Sequence, residues 1–80
     1  MNMNNSYLVS FVDLTIPKTW IKRFEGRSID SIQTKIQQYV ENHWEWEEDE
    51  KFPLDYNDFI EYLKDNYDIL IGDIQDIDTI

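Results

Sequence analysis

The hydrophobic period changes partway along this chain, and that change bounds what it can fold into. From Tyr7 to Ile16 branched and aromatic residues alternate, with Leu8, Val12, Leu14 and Ile16 on one period-2 face and Tyr7, Val9 and Phe11 on the other. The spacing predicts a strand buried on much of both faces. From Ile29 onward the apolar residues recur every three or four positions instead: Ile29, Ile32, Ile36, Tyr39, Val40 and His43, then Tyr56, Phe59, Ile60, Leu63 and Tyr67. Two amphipathic helices follow. Ser28 is a good N-cap and Asp30 suits the positive end of the helix dipole, so the first helix is expected over about 29–44. Pro53 closes the intervening loop, and Asp55 can cap a second helix over about 56–66 with Asp58 in the capping-box position.

The stretches between these elements complete the outline. Pro17-Lys18-Thr19 breaks the first strand. Trp20, Ile21 and Phe24 fit one helical face, but Thr, Trp, Ile and Phe favour strands and so short a helix would be marginal, so a second strand pairing as a hairpin is preferred. Ile69-Leu70-Ile71 reads as a third strand with a bulge at Gly72. The isoleucines beyond it fall at every third position (Ile71, Ile74, Ile77, Ile80), which matches neither strand nor helix. No repeat or linker divides the 80 residues, so one α+β domain is expected over 1–80, a small β-β-α-α-β sheet covered on one face by two helices. There is no cysteine to staple it. With 41% apolar and 15% aromatic residues the chain has enough to bury a core, despite a net charge of −10.

That charge is divided unevenly. Residues 1–40 carry five bases (Lys18, Lys22, Arg23, Arg27, Lys35) against three acids, a balance of +2, whereas residues 41–80 carry fourteen acids against Lys51 and Lys64, a balance of −12. A single-sign field of this kind attracts basic surfaces and repels nucleic acid. The five bases are interleaved with Trp20 and Phe24, but they read as a solvated strand face rather than a nucleic-acid stripe. An acidic chain is also a poor ligand for anionic membranes. No apolar run approaches the ~20 residues that span a bilayer, and Met1-Asn2-Met3-Asn4-Asn5-Ser6 lacks the features of a signal peptide, so a cytoplasmic location is expected. Asn4-Asn5-Ser6 then matches a glycosylation acceptor by chance.

Reactive chemistry finds little support. Nucleophilic catalysis needs a nucleophile, a base and an orienting group, and the one histidine, His43, falls on the apolar stripe of the first helix, where it reads as a boundary residue. The two glycines, Gly26 and Gly72, cannot make a phosphate loop. Asp73, Asp76 and Asp78 have the wrong spacing for a calcium loop, and the run at 45–50 has no glycine. No metal, no cofactor and no enzymatic activity are therefore expected.

The acidic surface itself is the candidate site. Glu45-Trp46-Glu47-Glu48-Asp49-Glu50 puts five acids into six positions at the negative end of the first helix, an unfavourable placement that fits a solvated loop or a surface kept for a partner. On the second helix Asp58, Glu61 and Asp65 form an acidic row, with Asp55 at its start. Aromatics accompany the acids: Trp44, Trp46 and Phe52 in or beside the run, and Tyr56 and Tyr62 on the second helix. Trp and Tyr anchor interfaces while carboxylates steer association, so Trp46 and Tyr62 are the expected anchors, and Trp44 belongs with the core stripe. The partner expected is a basic protein surface.

This concentration of carboxylates on a compact, cysteine-free domain resembles small phage-encoded inhibitors that imitate DNA, a class that includes anti-CRISPR proteins and inhibitors of restriction or repair enzymes. The resemblance rests on Glu45, Glu47, Glu48, Asp49 and Glu50 together with Asp55, Asp58, Glu61 and Asp65. It implies an inhibitor that occupies the nucleic-acid groove of a CRISPR effector or nuclease in a host cytoplasm. Ser28-Ile29-Asp30-Ser31-Ile32 followed by Asp55-Tyr56-Asn57-Asp58-Phe59 is also similar in layout to the consecutive helices of barstar-type immunity proteins. The alternative is a homodimeric adaptor, joined through strand edges and the Ile-rich tail.

Self-repulsion has a measurable consequence. A like-charge pair at ~4 Å costs about 1 kcal/mol in water, which is small singly but large in sum against a stability of ~5–15 kcal/mol. The melting temperature is expected to rise between low and moderate NaCl; a flat or falling dependence contradicts the repulsion argument.

Overall fold

A computed structural model describes residues 5–77; the glycosylation acceptor at Asn4 and the tail residue Ile80 lie outside them. The order of elements is β1 (Asn5–Asp13), β2 (Lys18–Gly26), α1 (Ile29–His43), α2 (Tyr56–Tyr67), β3 (Ile69–Ile71) and β4 (Gln75–Asp76). β1 and β2 form the expected hairpin, in register from Asn5 opposite Gly26 to Asp13 opposite Lys18. β3 and β4 pair in turn with the other edge of β1, both antiparallel, giving a four-stranded sheet with β1 at its centre. The α+β architecture is the one the periodicity predicts, and among the described residues no helix is long and apolar enough to cross a membrane.

Alternation along β1 sets the core. Tyr7, Val9, Phe11 and Asp13 are buried under the helices, whereas Leu8, Ser10 and Val12 face the opposite side and are only half-buried. The first strand is therefore buried on one face rather than both, because both helices cover the same side. It also ends earlier than expected: Leu14 and Ile16 fall in the four-residue turn before β2 and are 52% and 59% exposed. Pro17 and the Asp13 side chain, which accepts from the Thr15 amide (3.0 Å) and hydroxyl (2.6 Å), curl the chain there after one last bond from the Leu14 amide to Asp68 O at 3.0 Å.

α1 is capped as its sequence indicates. Ser28 Oγ accepts from the Ser31 amide at 3.3 Å and Ser31 Oγ accepts from the Ser28 amide at 3.4 Å, a reciprocal box. Its stripe Ile32, Ile36 and Val40 is fully buried against the sheet. In α2 only half of the expected box forms: Asp55 accepts from the Asp58 amide at 3.1 Å, and Asp58, itself acidic, returns no bond. Phe59 and Leu63 are its buried residues.

The irregular isoleucine tail has a geometric cause. Ile71 lies opposite Phe11 and Gln75 opposite Leu8, so three residues on this strand face two on β1. One extra residue is a β-bulge, and it reverses the side-chain alternation. Ile71 and Ile74 can thus both pack on the core, while Ile77 emerges beside Leu8 and Ile21 on the other face. Gly72, which donates its amide to Ser10 O at 2.9 Å, sits so close that an added Cβ would lie 2.2 Å from Ser10 Oγ. Gly72→Ala is therefore expected to cost about 1–3 kcal/mol in urea unfolding. Ser10→Ala in the same chain should recover most of that loss, since the next contact is an ordinary 3.5 Å; no recovery would show that the close approach is not the reason for glycine.

Candidate interaction surface

α1 stops at His43 and the chain turns into the acidic run, where Trp44 leaves the helix in extended conformation. Carboxylates cannot satisfy the terminal carbonyls of a helix, and one of these, Val40 O, is met by two N–H groups of the following segment. The Trp44 amide (3.5 Å) and the Trp46 indole Nε1 (3.1 Å) both donate to Val40 O. Trp46 is then fixed edge-on between Phe52 and Tyr67, each with ring centroids 4.9 Å away, and touches Trp44 at 6.1 Å. Trp44 is held from the other side by its own indole, which donates to Asp13 Oδ2 at 2.9 Å. His43 is exposed, with its ring against Trp20, Tyr39 and Trp44.

The end of the run is tied to α2. Glu50 Oε1 accepts two phenolic hydrogen bonds, from Tyr62 at 2.5 Å and from Tyr67 at 2.7 Å. Its own amide closes a turn onto Glu47 O at 3.0 Å. Tyr62 lies four residues after Asp58 and three before Asp65, hence on the same sector of the helix as the acidic row. One carboxylate thereby joins the loop to the middle of that row.

The expected site residues divide into two roles. Glu45, Glu47, Glu48 and Asp49 are exposed, as are Asp55, Asp58, Glu61 and Asp65, although the Asp55 carboxylate is engaged in capping. Trp46, Glu50 and Tyr62 are half-buried and bonded to their neighbours, so they brace the surface. Three further residues belong to it. Tyr67, expected only in the core stripe, supplies the second bond to Glu50. Glu41, one helical turn before Glu45, borders with Glu50, Gln37 and Leu54 a crevice of 290 Å³ between α1 and the loop. Leu54 stands just before the Asp55 cap, where an apolar residue commonly packs back on the fourth helical residue, here Phe59. It does not do so and is 96% exposed, the one feature of this surface that chain position argued against.

Ionisation follows the hydrogen bonds. The bonds from Tyr62 and then Tyr67 hold the Glu50 carboxyl below its ordinary value, and the same bonds raise both phenols. At Asp13, burial pushes the carboxyl up, but the bonds from Thr15, Trp44 and the Ile16 amide together outweigh it and leave it lowered. Tyr56, whose hydroxyl is buried without a hydrogen-bond partner, is pushed up to about 12 by burial and by Asp73. Among the described residues there is no group of three His, Asp or Glu side chains placed to hold a metal ion. No protein-family model matches the chain, and none of the curated proteins or solved structures it was compared with matches it either.

The lowered carboxyls set a pH dependence. Because folding depresses the values of Glu50 and Asp13, the stability they contribute is fully present above the ordinary values of 4.5 and 3.8 and is lost as pH falls below them. Protonation of the remaining acids relieves repulsion in wild type and variants alike. The melting temperature is expected to fall less steeply from pH 5 to pH 3 in Glu50→Gln and in Asp13→Asn than in the wild type; parallel profiles would contradict the assigned bonds.

Proposed function

We propose that this chain is a non-enzymatic inhibitor whose acidic face fills the basic nucleic-acid groove of a DNA- or RNA-processing protein, such as a CRISPR effector or a nuclease. The observation that carries the reading is the pair of hydrogen bonds that Tyr62 and Tyr67 donate to Glu50, which fastens the acidic loop to the acidic row of α2. A phosphate mimic needs carboxylates at fixed positions, since duplex DNA presents one charge per ~1.7 Å of its axis. Flexible acids would lose entropy on docking, whereas acids held by a braced loop lose less.

In this reading Glu47, Glu48 and Asp49 on the loop and Asp58, Glu61 and Asp65 on α2 stand in for phosphates and steer the encounter. Leu54, exposed beside Glu41 and Glu50, supplies the apolar contact. Trp46 and Tyr62 act by holding the loop in place, as well as through their exposed edges.

The test is capture of purified CRISPR effectors, restriction nucleases and repair enzymes on the immobilised chain, with their nucleic acid as competitor. One class is expected to bind, to be displaced by its own DNA or RNA, and to lose at least ~10-fold in affinity when Glu47, Glu48 and Asp49 are changed to Lys. Absence of binding across the panel, or binding indifferent to that charge reversal, would overturn the proposal.

A further inference from the structure

The side of the sheet away from the helices carries an apolar surface that no described element covers. Leu8 and Val12 of β1, Leu70 of β3 and Ile77 share it with Ile21 of β2, which is 66% exposed, and the turn residues Leu14 and Ile16 extend it at one end. Near the other end Leu8, Ile21 and Ile77 line a shallow groove of 380 Å³. We propose that this face is where a second copy of the chain docks, sheet against sheet, as a two-fold symmetric dimer.

Charge leaves this face, unlike the helix side, open to a second copy. A net −10 on each copy disfavours contact through the helix side, where the acidic loop and row lie. The sheet face is different: its described charges are Arg23 and Glu25, paired with each other at 3.2 Å, and Asp73 at the rim. A helix layer ~10 Å thick separates it from the carboxylates of α2, more than the ~8 Å Debye length at physiological salt. Two copies stacked with the usual ~10 Å between sheets would hold their acidic surfaces ~30 Å apart, beyond effective repulsion.

Shape agrees with a two-fold pair. A two-fold axis across the strands sets the turn end of each face, with exposed Leu14 and Ile16, over the end of its mate that holds the groove, the self-complementarity an isologous contact requires. The nine-residue β1 and β2 with the shorter β3 and β4 abreast span about 30 Å by 15 Å, close to 450 Å² on each copy and about 900 Å² in all. This is below the ~1,200 Å² at which stable specific interfaces begin, so the dimer is a weak, reversible one. Both acidic surfaces point outward in it, and the dimer stands or falls independently of what those surfaces bind.

Sedimentation equilibrium of the full chain from about 1 µM to about 1 mM brackets an interface of this size. The expected result is a rise from monomer to dimer mass that raising NaCl to ~0.5 M does not reverse. Ile21→Lys and, separately, Ile16→Asp should keep the chain monomeric across the range with unchanged circular dichroism, and Glu48→Lys should leave the dimer intact. A monomer at every concentration, a dimer that survives both apolar substitutions, or one abolished by Glu48→Lys would overturn the inference.

Discussion

A continuous line of aromatic rings holds this small fold together. It begins in the sheet with Phe24 and Phe11 against Tyr39 of α1, runs through His43 and Trp44, crosses to Trp46, and reaches Tyr67 and Tyr62 of α2. Each step is a contact of 4.7–6.1 Å between ring centroids. Aromatic pairs of this kind add about 0.5–1.5 kcal/mol beyond the area they bury, which matters in a chain with one small core and no disulfide. The line also spans the junction where the fold is weakest on electrostatic grounds, the acidic loop at the negative end of α1. There the Trp46 indole joins the Trp44 amide on Val40 O and ties the loop back to the helix end.

The same line explains how a surface that repels itself can stay ordered. Polar atoms of the rings take up the groups that the acids leave unmet: Trp44 on Asp13, Trp20 Nε1 on the Tyr39 hydroxyl at 2.9 Å, and Tyr62 and Tyr67 on Glu50. The bases of the first half stay local. Lys22 lies over Tyr39 at 5.0 Å, Lys18 over Trp20 at 5.8 Å, and Lys35 donates to the Glu25 carbonyl. The exposed acids of the loop and of α2 therefore keep their field, which is what association with a basic partner needs.

Much of the architecture was legible because period and caps are local signals. Ser28, the Ile32–Ile36–Val40 stripe and the second helix from Tyr56 all lie where spacing puts them, and the doubtful Trp20–Glu25 segment is a strand, as residue preference indicated. The failures lie where distant contacts decide. Leu14 and Ile16 alternate like a strand but are turned out by the hydrogen bonds of Asp13. A bulge at Gly72 was expected, but the spacing of Ile71, Ile74 and Ile77 made sense only from the register: Gly72 still pairs with Ser10, and the extra residue falls at Asp73–Ile74, opposite Val9. Within the candidate surface the acids were visible in the sequence, but the bracing was not: nothing local says that Glu50 meets Tyr62 and Tyr67, twelve and seventeen residues on. Leu54 was not singled out, because a lone leucine in a loop belongs to no periodic pattern.

The account stands on the acidic loop being a fixed part of the fold, and backbone ¹⁵N relaxation of residues 45–50 measures this directly. It predicts order parameters near the ~0.85 of rigid backbone in the wild type, dropping toward or below ~0.6 when Tyr62 and Tyr67 are both changed to Phe while α1 and the sheet stay rigid. A loop already mobile in the wild type, or equally rigid without the two hydroxyls, would contradict it.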